Sequence, residues 1–140
     1  EELIKRRGVK MDSLMWDDGW DNQTSLWEFN TTSFPLGFDD INAAAEGYDV
    51  GTGVWISPWG GYGSAKDHRL AAAQRLGFET SMMEAGLGFS LSGPKYAKRF
   101  REIMHNMVLR YGVNMFKVDG IGFEGSNSVS PASSFVLWQI

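Results

Sequence analysis

The chain has 140 residues, 43% of them hydrophobic and 14% aromatic, and a formal net charge of −4. That fits one domain over residues 1–140, and the acidic balance without a basic stripe argues against a nucleic-acid partner. No stretch of about 18 apolar residues predicts a membrane span. The absence of Cys excludes disulfides, thiolate zinc sites and a cysteine nucleophile, and leaves the compartment open.

Residues 1–7, Glu-Glu-Leu-Ile-Lys-Arg-Arg, read as the tail of a helix stopped by Gly8, and not as a signal peptide. Residues 9–16 predict a buried strand that runs into Asp17-Asp18-Gly19-Trp20. Residues 21–38 predict a long loop, of a length that is usually functional or disordered. Asp39 is expected to cap a helix over 40–47, where three Ala residues favour helix. A second strand is predicted over 53–58, ending in the turn Trp59-Gly60-Gly61-Tyr62-Gly63. Residues 66–76 predict a helix with Leu70, Ala73 and Leu76 on one side.

Residues 78–93 read as irregular, with at most a short strand. Pro94 suits the first position of a helix over 94–111. That helix spaces Tyr96, Phe100, Ile103, Met107 and Leu109 along one side, and Gly112 ends it. Residues 113–118 predict the third strand, and Pro131, capped by Ser130, opens a last helix. This alternation predicts an α/β fold with a parallel sheet and right-handed crossovers. With about 250 residues in a complete (β/α) barrel, the expectation is a partial, half TIM-type barrel. Its open edges and apolar faces predict self-association into a homo-oligomer.

Two acidic clusters stand at strand ends: Trp16-Asp17-Asp18-Gly19-Trp20, and Phe116-Lys117-Val118-Asp119-Gly120. In a (β/α) barrel that edge of the sheet carries the active site. Asp17 and Asp18 suit neighbouring sugar hydroxyls, because each carboxylate accepts through two oxygens; they read equally as a turn with two solvated acids. Lys117 and Asp119 alternate along a strand and share a face. Lys117 is expected to keep Asp119 ionised, which makes Asp119 a candidate nucleophile; a structural ion pair is the rival reading. Trp16, Trp20, Trp55, Trp59 and Tyr62 offer flat surfaces for a pyranose, or packing at the rim.

No motif asks for a cofactor or a metal. The Gly-rich turn lacks the Lys-Ser/Thr of a phosphate loop. His68 and His105 lie on predicted helix surfaces without a partner at ligand spacing. Met82, Met83, Met104, Met107 and Met115 read as core filler. Glu84 and Glu124 are loop carboxylates within possible reach of the mouth.

These clusters, together with Phe34-Pro35-Leu36-Gly37-Phe38, Gly53-Val54-Trp55-Ile56-Ser57-Pro58 and the lead-in Tyr111-Gly112-Val113-Asn114-Met115, resemble the α-galactosidase clan of retaining glycoside hydrolases, families 27 and 36. Leu91-Ser92-Gly93-Pro94-Lys95-Tyr96 is similar to bacterial α-galactosidase-like proteins. The resemblance covers nearly all of the chain and about half of the family's barrel. It implies retaining hydrolysis of terminal α-galactosides, with Asp119 as nucleophile. It also implies that Asp17, Asp18 and Lys117 bind sugar hydroxyls and that Trp20 and Trp55 line the pocket. The partner it implies is a small galactoside-like carbohydrate.

Two departures qualify it. Ile121 and Gly122 stand where family 27 often has Cys, which leans toward family 36 or an outlying group. The family's acid/base carboxylate comes from a later strand, around the sixth, and has no counterpart here. The alternative expectation is therefore a non-catalytic, self-associating half-barrel with at most weak sugar binding.

Overall fold

The computed structural model describes residues 2–83 and 86–120. One π-helical turn, Glu2–Arg6, leads to β1 (Ser13–Trp16), β2 (Asp21–Asn22), β3 (Glu28–Phe29), α1 (Asp39–Glu46) and β4 (Gly51–Ile56). There follow α2 (Gly63–Leu76), β5 (Thr80–Met83), β6 (Gly86–Phe89), α3 (Pro94–Tyr111) and β7 (Val113–Val118). The expected last helix, with Ser130 and Pro131, lies outside the described residues, as do Glu84 and Glu124.

The three predicted strands form one parallel sheet in the order β1-β4-β7. The fold is thus α/β, as expected. Two antiparallel pairs, β2-β3 and β5-β6, stand apart from it. The first falls in the segment 21–38, expected as a loop; the second, in 78–93, is a pair where the sequence predicts at most one short strand.

Alternation along β4 puts Thr52, Val54 and Ile56 on one face and Gly51, Gly53 and Trp55 on the other. The first face meets the helices: Thr52 Oγ1 donates to Asn42 of α1 at 2.6 Å, and Val54 and Ile56 are fully buried. On the second face the two glycines let the outer strands meet across the middle one. Ser13 of β1 donates to Asn114 of β7 over Gly51, and a Cβ on Gly51 would lie 2.1 Å from the Asn114 amide. A Cβ on Gly53 would lie 2.7 Å from the Met115 methyl. Asn114 is the extra residue of a bulge, since Thr52 pairs with Val113 and Gly53 with Met115.

α3 spans the predicted residues, starts on Pro94 and ends at the left-handed Gly112. Its N-terminal amides are capped from outside the helix, by the Glu79 carboxylate on Lys95 N (3.2 Å) and Tyr96 N (2.8 Å). Asp39 does not cap α1: Phe38 holds that position without a side-chain bond. Asp39 instead takes a two-pronged pair from Arg110 of α3, at 2.8 and 2.6 Å.

The core joins Val54, Ile56, Tyr96, Phe100, Ile103 and Met107 to an aromatic cluster from the 20–38 segment: Trp20, Trp27, Phe29, Phe34 and Phe38. Leu76 and Leu109, expected to face inward, are exposed. So are Met82 and Met115, whereas Met107 is core. Both histidines are exposed, as their helix positions predict.

Candidate active site

The three strands of the sheet end side by side, and their C-terminal ends place the chemistry. Asp119 follows β7 directly, and its backbone N–H donates to Ile56 O of β4 at 2.9 Å. That bond extends the ladder one residue and fixes the carboxylate over the end of β4. Its Oδ2 accepts from Trp55 Nε1 at 2.9 Å. Its Oδ1 accepts from the Tyr62 hydroxyl at 3.2 Å and from Gly120 N at 2.7 Å.

These donors hold Asp119 below the ordinary carboxylate range. Trp55 contributes most, partial burial opposes it, and Gly120, Tyr62 and the charge of Lys117 add to the lowering. The expectation that Lys117 keeps Asp119 ionised is therefore corrected in its ranking, because the indole leads and the ammonium comes last. Tyr62 is pushed up in turn, first by burial and then by its bond to Asp119.

Lys117 Nζ donates to Asp17 Oδ2 at 2.9 Å. The pair crosses from β7 to the end of β1, a span of about 10 Å between strand axes that a long side chain closes. Asp17 is lowered, first by this bond and then by the Asp18 amide on its Oδ1. Lys117 is raised chiefly by Asp17. The ammonium keeps two N–H donors for a ligand.

Asp18 points elsewhere. Its Oδ1 accepts from Arg69 of α2. Arg69 is 0% exposed, and it also grips Asp21 through Nε (2.9 Å) and Nη2 (2.7 Å) and donates Nη1 to Gly60 O at 2.9 Å. Its guanidinium lies 4.6 Å from the Trp27 ring centroid and 5.5 Å from that of Trp55. This buried cation ties the Asp-Asp-Gly loop to the Gly-rich turn after β4. Sequence reasoning passed over it; the available signal was a lone Arg beside Leu70, Ala72 and Ala73 on a helix that otherwise buries small and apolar residues.

The structure thus brings together Asp17, Lys117, Asp119 and Trp55, and adds Tyr62. It gives no such place to Trp20, which is 1% exposed, stacks on Trp27 and spends its indole N–H on Trp55 O at 2.7 Å. Trp20 is a core residue and presents no face to a ligand. Trp55 is equally buried and acts at the site through its N–H, not as a stacking wall. Trp59 is also buried, and its indole N–H has no acceptor among the described residues. Tyr62 is the exposed ring, at 58%. Among the described residues no group of His, Cys, Asp and Glu could hold a metal ion, and no helix is long and apolar enough to cross a membrane.

No family model matches the chain, and no curated protein matches it significantly. Solved structures do share its fold. One is a GH31 α-xylosidase from a soil metagenome complexed with xylose, at TM-score 0.58 and 17% identity over 84% of this chain and 18% of that one. Another is an α-galactosidase from Lactobacillus brevis, at TM-score 0.58 and 17% identity over 84% of this chain and 17% of that one. The chain spans less than a fifth of either protein. At this identity the likeness is one of fold, a glycoside hydrolase-like α/β fold.

Proposed function

We propose that this chain carries the nucleophile half of a retaining glycosidase site, with terminal α-galactosides as the substrate class. The observation that carries the reading is the Asp119 carboxylate, held below the ordinary carboxylate range by Trp55, Gly120 and Tyr62 at the C-terminal end of the sheet. A retaining enzyme needs such a carboxylate to attack the anomeric carbon. Oδ2 holds one hydrogen bond and Oδ1 two, so Oδ2 has the freer lone pair and is the attacking atom. The new C–O bond forms as the bond to the leaving oxygen breaks. Asp17 and Lys117 orient the sugar hydroxyls. A second carboxylic acid, about 5–5.5 Å from the nucleophile, must protonate the leaving oxygen. None of the described residues supplies it, and a second copy of the chain in a homo-oligomeric (β/α) barrel is the proposed source.

α-Galactosyl fluoride tests this, because fluoride departs with little help from an acid. Each species separated by size exclusion is assayed for fluoride release. Release by the wild type and its loss in Asp119→Asn, with an unchanged circular dichroism spectrum, is expected. Equal release by wild type and variant overturns the assignment.

The second reading is a non-catalytic half-barrel that self-associates and binds sugar weakly. Leu14 on edge strand β1 is 45% exposed and Met115 on edge strand β7 is 38% exposed, which favours a covering partner. It predicts a defined oligomer that releases no fluoride.

A further inference from the structure

Next along the chain from Asp17 and Asp18, residues from Gly19 onward line a concavity of about 440 Å³. Its wall includes Asn22, Gln23, Asn30, Thr31, Thr32 and His68. The volume falls in the range of small-molecule sites, about 300–1,000 Å³, but the lining is polar where such sites are mostly apolar.

The hydrogen bonds inside the wall leave a defined surplus. Asn22 Oδ1 accepts from Thr24 N (3.0 Å) and Thr24 Oγ1 (2.8 Å), and Asn30 Oδ1 accepts from Thr32 N (3.1 Å). Both amide oxygens are thereby turned into the loop, and both NH₂ groups are left without a partner among the described residues. His68 Nδ1 lies 3.2 Å from Gln23 Oε1, which leaves Gln23 Nε2 and His68 Nε2 unspent. The hydroxyls of Thr31 and Thr32 complete a set of donors and acceptors in near balance.

The charge of the wall narrows the ligand. Asp21, its one carboxylate, spends both oxygens on buried Arg69. A divalent cation needs free carboxylate oxygens, and a phosphate is held by charge-assisted bonds from Arg or Lys; the wall offers neither. Amide and hydroxyl groups in a concave, uncharged setting match a neutral polyol.

We propose that this concavity binds a neutral saccharide unit, the part of a glycan that continues away from the sugar held at Asp119. The adjacency rests on the glycosidase reading above, since Gly19 of the wall is the chain neighbour of Asp18. The chemistry of the wall does not.

Side-chain amide resonances in a ¹H–¹⁵N spectrum report on the wall directly. The probes are raffinose, a trisaccharide with a terminal α-galactosyl group, and galactose alone. Raffinose up to about 50 mM, enough to populate a site of millimolar Kd, is expected to shift the NH₂ signals of Asn22, Gln23 and Asn30, and galactose is not. Gln23→Ala, at a half-buried position, and His68→Ala, at an exposed one, are expected to weaken raffinose by about tenfold, the worth of a lost hydrogen bond, and to leave galactose unchanged. Static amide signals, or equal raffinose affinity in the variants, overturn the proposal. Fluoride release with static amides overturns the second site and leaves Asp119 as the nucleophile. Amide shifts with no fluoride release sink the hydrolase and leave the saccharide site.

Discussion

Replacing Arg69 by Met tests whether a buried cation holds the site loops together. Met keeps the long apolar stem and removes the guanidinium, which is 0% exposed and bonds Asp21, Asp18 and Gly60. The Asp21 side chain is itself 0% exposed, so the variant strands a carboxylate out of water. Breaking a buried pair from one side costs about 3–5 kcal/mol. The Gly60 carbonyl loses a donor as well, a loss of about 1–3 kcal/mol in isolation, which overlaps the first because both vacated partners relax into one space. The Trp27 and Trp55 faces also lose a desolvated cation, worth up to about 2 kcal/mol. The expected loss is thus at least about 3 kcal/mol of a total stability that for a domain is about 5–15 kcal/mol. Urea unfolding followed by Trp fluorescence reads it. The double variant Asp21→Leu/Arg69→Met removes the stranded charge and is expected to recover a large part of the loss. A loss below about 1 kcal/mol for Arg69→Met, the worth of an exposed ion pair, refutes the reasoning. So does a double variant that costs the sum of the two single changes.

Asp49 is exposed, with a φ of 54° in the turn between α1 and β4; Asp49→Gly is expected to gain up to about 1 kcal/mol by removing the cost of that conformation, read as a rise in Tm, and a fall in Tm counts against it. Gly51→Ala drives a methyl into the Asn114 amide that bridges β7 to Ser13 and Asp12 and is expected to cost about 1–3 kcal/mol in urea unfolding; a neutral result means that the outer strands do not meet over Gly51. Tyr62→Phe removes one donor from Asp119, so a carboxyl ¹³C titration is expected to find the Asp119 pKa raised relative to wild type. The sign for stability follows: the folded value is depressed, so the contribution is present above the unfolded carboxylate value of about 3.9 and is lost as pH falls through the folded value. Tyr62→Phe narrows that window, and an unmoved titration would show that the hydroxyl does not bind the carboxylate.

The sheet and its long helix were legible because their signals are local. Pro94 and Gly112 bracket α3, and the Val and Phe residues of Val113–Val118 mark β7. The segment 20–38 was not legible, because its structure is set by distant partners. Leu26 and Trp27 are buried with φ of 56° and 63°, a conformation no propensity scale assigns to Leu or Trp. Burial against Tyr96 and Trp55 must override that cost. Site residues divide in the same way. Alternation along β7 placed Lys117 and Asp119 on one face, but only the fold shows that Lys117 reaches across to Asp17 while Trp55 and Tyr62 reach Asp119. The resemblance to known motifs put Trp20 in the pocket, and the local aromatic cluster instead takes it into the core.

Two clamps of different strength frame the mouth. The Lys117–Asp17 pair joins the outer strands but is half exposed on both sides, so water and salt compete with it and a ligand can replace it at little cost. The Arg69–Asp21 pair joins loop to loop with both side chains out of contact with water. The proposed glycan site calls for both properties at once: hydrogen-bonding groups that change partners when sugar hydroxyls arrive, and a frame that does not move while they do. Asp119 sits between them. Its backbone is locked into the ladder through Ile56 O, and one of its oxygens is bound by a buried indole. The donor that fixes its position is thus also the one that most lowers its pKa, so geometry and charge at this carboxylate cannot be altered separately through Trp55, whereas through exposed Tyr62 they can.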